Sequence, residues 1–213
     1  MSPDAATAIV PLRTGGKTRL APALAASERS ELATAMLSDV VTALRDAGIA
    51  RIVVAAQGPS ALACADALRL EALPDPDEAR GLDHALRRAT ARLGPVACLL
   101  VVAADLPRLT GHDVATVLAC PAPVVVAPTR DGGTGGLLRR PPTAIPTAYG
   151  PGSGQAHLRL AADAGLVAEQ VHTPGFADDV DTPSDLERLQ RGPVGTATAR
   201  VLARLDVPGR LAG

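Results

Sequence analysis

A run of eight apolar residues at 97–104 (ACLLVVAA) is the feature that most limits how this chain can fold. The run is too short to cross a bilayer, which takes about 20 apolar residues in a helix. It has the length of a β-strand, and a strand without alternating polar residues is typical of a parallel sheet covered by helices on both faces. The run therefore predicts a central strand that is buried on both sides.

Shorter strand and helix patterns alternate along the rest of the chain. Apolar segments predict strands at 8–12, 51–56, 124–127 and 167–172, and the segments between them predict helices at 27–47, 60–68, 81–93, 111–119, 153–164, 183–190 and 196–205. Val180 is expected in one more short strand, and 71–79 in a loop. This alternation predicts an α/β fold with a doubly wound, mostly parallel sheet. Since no linker is evident, we expect one domain over 1–213, with a small β-rich lid inserted at about 130–175 and a tail at 206–213.

Charge and aromatic content exclude several classes of partner. The chain has 21 Lys and Arg against 22 Asp and Glu, a net charge of −1, so no basic field can hold a nucleic acid or an anionic membrane. Tyr149 and Phe176 are the only residues of the Phe, Tyr and Trp type, which argues against a stacking platform for single-stranded nucleic acid. The N-terminus has no signal-peptide pattern, and the three cysteines have no metal-ligand spacing. We therefore expect a reduced, cytoplasmic protein.

The segment 11–20 (PLRTGGKTRL) follows the first predicted strand and is a candidate phosphate-binding loop. Its glycines, Gly15 and Gly16, would let backbone N–H groups approach an anion, and Arg13, Lys17 and Arg19 supply positive charge. Lys17 is the only lysine of the chain. The segment matches neither the P-loop nor the dinucleotide-binding motif. The alternative is a solvated loop without a ligand.

Three aspartates at the ends of predicted strands are candidate magnesium ligands. Asp105 follows the most apolar strand, where an unpaired carboxylate would cost several kcal/mol. Asp179 and Asp181 lie two residues apart, so at strand spacing both side chains would project from one face. Hard cations such as Mg²⁺ take carboxylates together with substrate phosphates. The alternatives are a turn aspartate at 105 and a helix-capping cluster around 181.

Two glycine-rich loops, 130–136 and 149–157, complete the candidate site. The second leads into a predicted helix, and a helix N-terminus favours an anion such as a phosphate or a carboxylate. Two ordinary turns are the alternative. The segment 150–154 (GPGSG) is not a hydrolase nucleophile motif, because its serine is shifted by one position and no strand directly precedes it. No histidine pairs with a Ser or Cys nucleophile in a recognisable motif.

Together these motifs resemble a known family of guanylyltransferases. The resemblance rests on 10–12 (VPL) leading to 17–21 (KTRLA), on 105–107 (DLP), on 133–135 (GTG), on 149–153 (YGPGS) with His157, and on 179–186 (DVDTPSDL). The family activates a small phosphorylated acid, 2-phospho-L-lactate or phosphoenolpyruvate, with GTP in deazaflavin coenzyme biosynthesis. It implies a single nucleotidyltransferase-type α/β domain in which the phosphate of the acid attacks the α-phosphorus of GTP and pyrophosphate leaves.

The resemblance also implies roles for individual residues. Lys17 and Arg19 would hold the GTP phosphates, next to Arg13, Gly15 and Gly16 of the same loop.

Three carboxylates, those of Asp105, Asp179 and Asp181, would hold Mg²⁺. The resemblance places the phosphorylated acid on Gly150 and Ser153, together with the loop from Thr134 to Gly136.

The chain departs from the family pattern at two positions. Gly136 stands where a second threonine is common, and Asp83 stands where the family usually has asparagine, in the region expected to meet the nucleoside. Two other functions stay open: a nucleotidyltransferase of the same fold with another nucleotide or acceptor, such as 3-phosphoglycerate, and a non-catalytic nucleotide-binding paralogue. The oligomeric state also stays open, with a homodimer as one option.

Overall fold

Seven strands form one mixed, mostly parallel sheet in the computed structural model, which describes residues 6–13, 15, 17–75 and 80–205. The strands are β1 (Ala6–Arg13), β2 (Arg51–Gln57), β3 (Glu71–Pro74), β4 (Cys98–Val102), β5 (Val124–Pro128), β6 (Thr134–Arg139) and β7 (Ala168–Gln170). Their spatial order is β3-β2-β1-β4-β6-β5-β7. Only β6 runs antiparallel to its described neighbours, β4 and β5. The expected α/β class with a doubly wound, mostly parallel sheet is confirmed.

Helices cover both faces of this sheet. Within the described residues the α-helices are α1 (Ala26–Asp46), α2 (Pro59–Ala67), α3 (Gly81–Arg92), α4 (Gly111–Ala119), α5 (Ser153–Asp163), α6 (Pro174–Ala177), α7 (Pro183–Leu189) and α8 (Thr196–Arg204). Apolar residues of α1 and α4 pack on one face, and those of α3 and α5 pack on the other. No helix in the described ranges is long and apolar enough to cross a membrane.

The central strand β4 is buried along its whole length, as the apolar run predicts. Leu99, Leu100, Val101 and Val102 are each 0% exposed. Alternate residues point to opposite faces, so Leu100 joins the core under α1 and α4 whereas Leu99 joins the core under α3 and α5. Each such side chain contributes about 1.5–3 kcal/mol on burial.

A long-range cap attaches the last described helix to the first. Asp39 of α1 is buried (7% exposed), and its carboxylate accepts hydrogen bonds from the backbone N–H groups of Ala197 (3.0 Å) and Thr198 (2.8 Å) at the start of α8. A Cβ atom on Gly195 would lie 2.1 Å from the Asp39 carboxyl carbon. Only glycine therefore fits where the chain passes this carboxylate.

The sheet reverses its winding between β1 and β4. From β1 the chain proceeds outward to β2 and β3, and then returns to place β4 on the other side of β1. In open α/β sheets ligands bind outside the carboxyl ends of the strands at such a switch point. The loops after β1 and β4 are therefore the expected position of a site.

Several expectations about individual segments are wrong. Residues 71–74, predicted as part of a loop, form the edge strand β3. The predicted β-rich lid over 130–175 is not a separate layer, because β6 lies inside the sheet and β7 at its edge. Val180 lies in an irregular segment rather than a strand. Gly16, residues 76–79 and the predicted tail at 206–213 lie outside the described residues.

The prediction of a glycine-rich loop at 130–136 is also wrong, because the last three residues of this segment begin strand β6. Gly135 and Gly136 are buried there and allow α6 to approach the strand. A Cβ atom on Gly135 would lie 2.6 Å from the Phe176 carbonyl oxygen, and one on Gly136 would lie 2.7 Å from the Phe176 ring. Phe176 is itself 0% exposed, so its ring has little room to shift. Gly136 is thus a packing residue and not a loop residue with an open side.

We expect Gly136→Thr to destabilise the protein by about 1–3 kcal/mol, because the new side chain overpacks against the Phe176 ring. Urea unfolding of the purified variant measures this loss. The matched test repeats the substitution in a Phe176→Ala background, where the ring is absent. There the added threonine should cost less, and an equal cost in both backgrounds would contradict the packing explanation.

Candidate active site

A cleft of 780 Å³ opens at the carboxyl ends of β1 and β4. Among the predicted site residues, six line it: Arg13, Gly15, Lys17, Arg19, Asp105 and Asp181. Its other wall is formed by residues of α1 and α2, among them Ser30, Ala33 and Cys64. The cleft is thus large enough for a small ligand, and its lining carries both positive and negative charge.

Lys17 is the centre of the charged side of the cleft. Its backbone is in the left-handed region (φ 63°), and a short 3-10 helix, Thr18–Leu20, follows it. Leu20 is fully buried and anchors this turn. The Lys17 Nζ atom donates a short hydrogen bond to the Asp105 carboxylate and a 2.6 Å hydrogen bond to the Asp181 carboxylate. With a side chain only 12% exposed, Lys17 is not the solvated loop lysine of the alternative interpretation.

Arg19 contacts the same aspartate from the solvent side. Its guanidinium pairs with Asp181, and the arginine side chain is 68% exposed. The structure therefore brings together Lys17, Arg19, Asp105 and Asp181 from three segments of the chain.

The segment 178–181 holds Asp179 and Asp181 close to the end of β4, where Asp105 lies. The backbone N–H of buried Val180 donates to the Asp105 carbonyl oxygen (3.2 Å), which connects this irregular segment to the end of β4. Asp185 accepts hydrogen bonds from the N–H groups of Asp181 (2.8 Å) and Thr182 (2.7 Å). Asp185 thus supplies the helix-capping carboxylate, and the Asp181 carboxylate faces Lys17 instead.

The carboxylates are crowded. Burial raises the pKa of Asp179 to about 6, with the charges of Asp105, Asp131 and Asp181 adding to the effect and Lys17 opposing it. For Lys17, burial alone would lower the pKa, but the two carboxylates that it contacts raise it overall, so the ammonium stays charged. The site therefore holds more negative charge than its one buried ammonium neutralises.

The three aspartates do not form a closed set of metal ligands. Within the described residues no group of three or more His, Cys, Asp or Glu side chains is arranged to hold a metal ion. The Lys17 ammonium stands between Asp105 and Asp181. The predicted magnesium ligation therefore stays a prediction.

A second polar cluster contains the predicted acid-binding residues Thr134 and Ser153. The Thr134 hydroxyl lies 2.9 Å from Ser153 Oγ and 3.1 Å from His157 Nδ1. All three side chains are buried. Gly150 is exposed, with φ 143°, in the turn just before α5.

Asp83 lies beside this cluster rather than in the lining of the cleft described above. Its carboxylate accepts a hydrogen bond from the Tyr149 N–H (3.0 Å), and His157 Nε2 accepts one from the Ala148 N–H (3.0 Å). Helices α3 and α5 thus hold the backbone that leads into the 150–152 turn. The sequence did not indicate this function for Asp83.

Asp131 and Gln57 are two polar residues near the site that the motifs did not single out. Asp131 Oδ1 accepts a hydrogen bond from the Gly133 N–H (3.0 Å) and fixes the 130–133 turn near Asp179. Gln57 lines the cleft at the end of β2, and its amide donates to buried Asp75 (3.3 Å). Gln57 could have been predicted as a site residue, because it is a polar residue at the end of an apolar strand.

Comparisons with known proteins show the family to which the chain belongs. The profile of the family described as "Guanylyl transferase CofC like" matches residues 6–208. A phosphoenolpyruvate guanylyltransferase from Conexibacter woesei is 39% identical over 193 residues, which cover 86% of each chain. The chain belongs to this family. The resemblance that the motifs indicated is confirmed, and the chain is a nucleotidyltransferase enzyme of the CofC-like guanylyltransferase family.

Other members carry different acceptor names. A 3-phospho-D-glycerate guanylyltransferase from Phenylobacterium zucineum is 35% identical over 202 residues, covering 90% of this chain and 91% of its own. A 2-phospho-L-lactate guanylyltransferase from Methanoregula boonei is 32% identical over 183 residues, covering 85% of this chain and 80% of its own.

A solved structure supports the fold. A nucleotidyl transferase from Methanothermobacter thermautotroptrophicus superposes with a TM-score of 0.64 at 16% identity, covering 87% of this chain and 96% of its own.

The buried ring of His157 should make stability depend on pH. Burial lowers the pKa of His157 to about 4, while the charge of Asp83 raises it and that of Arg139 lowers it further. The unfolded chain takes up this proton near pH 6.5, so stability is complete above that pH and falls as the pH drops toward 4. We expect His157 to account for about 2–3 kcal/mol of that loss.

Urea unfolding at several pH values between 7 and 4 tests this expectation. His157→Gln should flatten the profile, and His172→Gln, at an exposed histidine, should leave it as in the wild type. A wild-type profile in the His157→Gln variant would show that another group titrates.

Proposed function

We propose that the protein transfers GMP from GTP to the phosphate of a small phosphorylated acid, phosphoenolpyruvate or 2-phospho-L-lactate, and releases pyrophosphate. The observation that carries the proposal is the Lys17 ammonium between Asp105 and Asp181 at the open cleft. Family membership supports the donor and the class of acceptor. Phosphoenolpyruvate is the first candidate, because the name of the Conexibacter relative states it.

The reaction requires positioning and charge neutralisation rather than a protein nucleophile. An ionised phosphate oxygen of the acid forms a bond to the α-phosphorus of GTP, and the bond from that phosphorus to the pyrophosphate oxygen breaks. Both reactants are anions, so their approach is opposed unless cations lie beside them. Lys17, Arg13 and Arg19 at one side of the cleft provide such cations. We infer that they orient the triphosphate and stabilise the leaving pyrophosphate.

We further propose that Asp105, Asp179 and Asp181 hold Mg²⁺. The donor set fits this ion, since hard carboxylate oxygens are its preferred protein ligands. Burial and the neighbouring carboxylates raise the pKa of Asp179, and a divalent cation would relieve the excess of negative charge among these groups. When bound, the ion would neutralise phosphate charge and orient the phosphates.

The acid is proposed to bind at the start of α5. The helix N-terminus at Ser153 favours an anion, and Thr134 and the exposed turn at Gly150 adjoin it. Gly136 does not belong to this proposal, because it is buried in β6 under Phe176. Its difference from the family pattern is therefore explained by packing.

The remaining expectations stay proposals. We propose that residues 1–213 act as one nucleotidyltransferase domain, that the reaction takes place in the cytoplasm, where GTP is available, and that no nucleic acid or membrane takes part. A homodimer is the assembly that we would test first.

Product analysis tests the activity. Incubation with Mg²⁺, an equimolar mixture of the four nucleoside triphosphates and one phosphorylated acid should yield the guanylylated acid and pyrophosphate in a mass spectrum. Asp105→Asn should reduce turnover by at least about a hundredfold, because it removes a charge at the reacting phosphates. Asp66→Asn, at an exposed aspartate of α2, is the matched control and should be fully active.

No product with phosphoenolpyruvate, 2-phospho-L-lactate or 3-phosphoglycerate would favour a non-catalytic paralogue. A product from another nucleotide would favour a different donor.

Thermal unfolding tests the metal site without turnover. Lys17→Met should destabilise the protein by about 1–3 kcal/mol, since it leaves the crowded carboxylates without their buried cation. Added Mg²⁺ should restore part of that loss, and it should raise the Tm of Lys17→Met more than that of the wild type. Arg45→Met, at an exposed arginine of α1, should show no such gain. An equal Mg²⁺ response in all three proteins would contradict the assignment.

A further inference from the structure

Thr134, Ser153 and His157 connect in one chain of hydrogen bonds that runs from the Ala148 backbone to the start of α5. These residues are 7%, 2% and 0% exposed, respectively. Ala148 N–H lies 3.0 Å from His157 Nε2, His157 Nδ1 lies 3.1 Å from Thr134 Oγ1, and Thr134 Oγ1 lies 2.9 Å from Ser153 Oγ. The residues come from β6, α5 and the segment that precedes the 150–152 turn.

The Ala148 end of this series of hydrogen bonds determines which atom donates in each of them. A backbone N–H can only donate, so His157 Nε2 must accept and cannot carry a proton. A neutral imidazole then carries its proton on Nδ1, which donates to Thr134 Oγ1. Burial lowers the pKa of His157 to about 4, so the ring is neutral at ordinary pH.

The direction continues to Ser153. Because Nδ1 is a donor, the Thr134 hydroxyl proton cannot go back to the ring. Ser153 Oγ is the other side-chain atom within hydrogen-bond distance of that hydroxyl among the described residues. Donation from Thr134 to Ser153 gives this proton an acceptor, whereas the reverse direction would leave it with no side-chain acceptor there. Ser153 Oγ thereby accepts from Thr134, and the serine keeps its own proton for a further partner.

The position of that proton suits an anionic ligand. Ser153 is the first residue of α5, an 11-residue helix whose dipole favours negative charge at this end. The turn before it, 150–152, is exposed. A hydroxyl whose proton is free to donate complements a carboxylate or phosphate oxygen, which can only accept.

We propose that His157 is a positioning residue that acts through Thr134 to hold Ser153 as a hydrogen-bond donor to an anionic oxygen of the acceptor acid. This inference rests on the proposed guanylyl transfer for the identity of the acid. The direction of the hydrogen bonds does not depend on it. His157 makes no contact with the acid in this scheme, and its effect should disappear when Ser153 has no hydroxyl.

Nitrogen-15 NMR of the histidine ring tests the direction on the wild-type protein without substrate. We expect a pyridine-like shift at His157 Nε2 and a pyrrole-like shift at Nδ1. A pyrrole-like shift at Nε2, or a doubly protonated ring at pH 7, overturns the proposal whatever the activity.

A double-mutant cycle tests the effect on the acid. Thr134→Val keeps the shape of the side chain but can neither accept nor donate, and His157→Leu removes both ring contacts. Each should raise the KM for phosphoenolpyruvate roughly ten- to a hundredfold and leave the KM for GTP almost unchanged. Neither should have a further effect in a Ser153→Ala background. If the His157→Leu variant does not fold, Thr134→Val still tests the proposal.

Two further variants separate positioning from general stability. His157→Gln offers one acceptor and one donor and should recover part of the affinity for the acid. Thr116→Val, at a half-buried threonine of α4, should change neither KM. Full additivity in the Ser153→Ala background, or equal losses for GTP and the acid, overturns the proposal. If the wild type guanylylates neither phosphoenolpyruvate, 2-phospho-L-lactate nor 3-phosphoglycerate, the proposed function fails. The NMR result still decides the direction of the hydrogen bonds between His157, Thr134 and Ser153.

Discussion

A strand that is buried on both faces can present polar chemistry only at its ends. Strand β4 has no exposed residue, and most of β1 is buried as well. An ionised side chain in the middle of either strand would lose its hydration with no partner to replace it. The charged groups therefore collect where β1 and β4 end, and the reversal of the winding between these strands leaves an opening there. The position of the cleft follows from the burial of the sheet.

The charged groups at this opening interact electrostatically with one another. Lys17 lies 88 positions from Asp105 and 164 from Asp181, so one ammonium connects the ends of β1 and β4 with the segment before α7. It opposes the repulsion among the carboxylates, but burial and the neighbouring carboxylate charges together still raise the pKa of Asp179. A site with both carboxylates and an ammonium group complements a ligand that contains both cations and anions. Nucleoside triphosphates bound to divalent ions have that composition.

Much of the fold and the charged part of the site could be predicted from the sequence, because the signals are local. The run at 97–104 predicts its own burial, and Lys17 and Asp105 follow apolar strands directly. Segments whose structure depends on distant partners could not be predicted. Residues 134–139 include two glycines, Gly135 and Gly136, which are poor strand formers. They become a strand because β4 and β5 pair with them on both sides. Likewise, the arrangement of His157, Thr134 and Asp83 needs three separate elements to meet.

The cap that Asp39 provides for α8 has a consequence for how the chain folds during its synthesis. The carboxylate belongs to the first long helix, but its two N–H partners are 158 and 159 residues later. Until residue 198 has left the ribosome, Asp39 has no backbone partner from α8 and stays hydrated. Helix α1 therefore cannot bury this part of its surface while the chain is being made. The final packing of α1 has to wait for the end of translation, so a nascent chain that stalls earlier would present this face to chaperones.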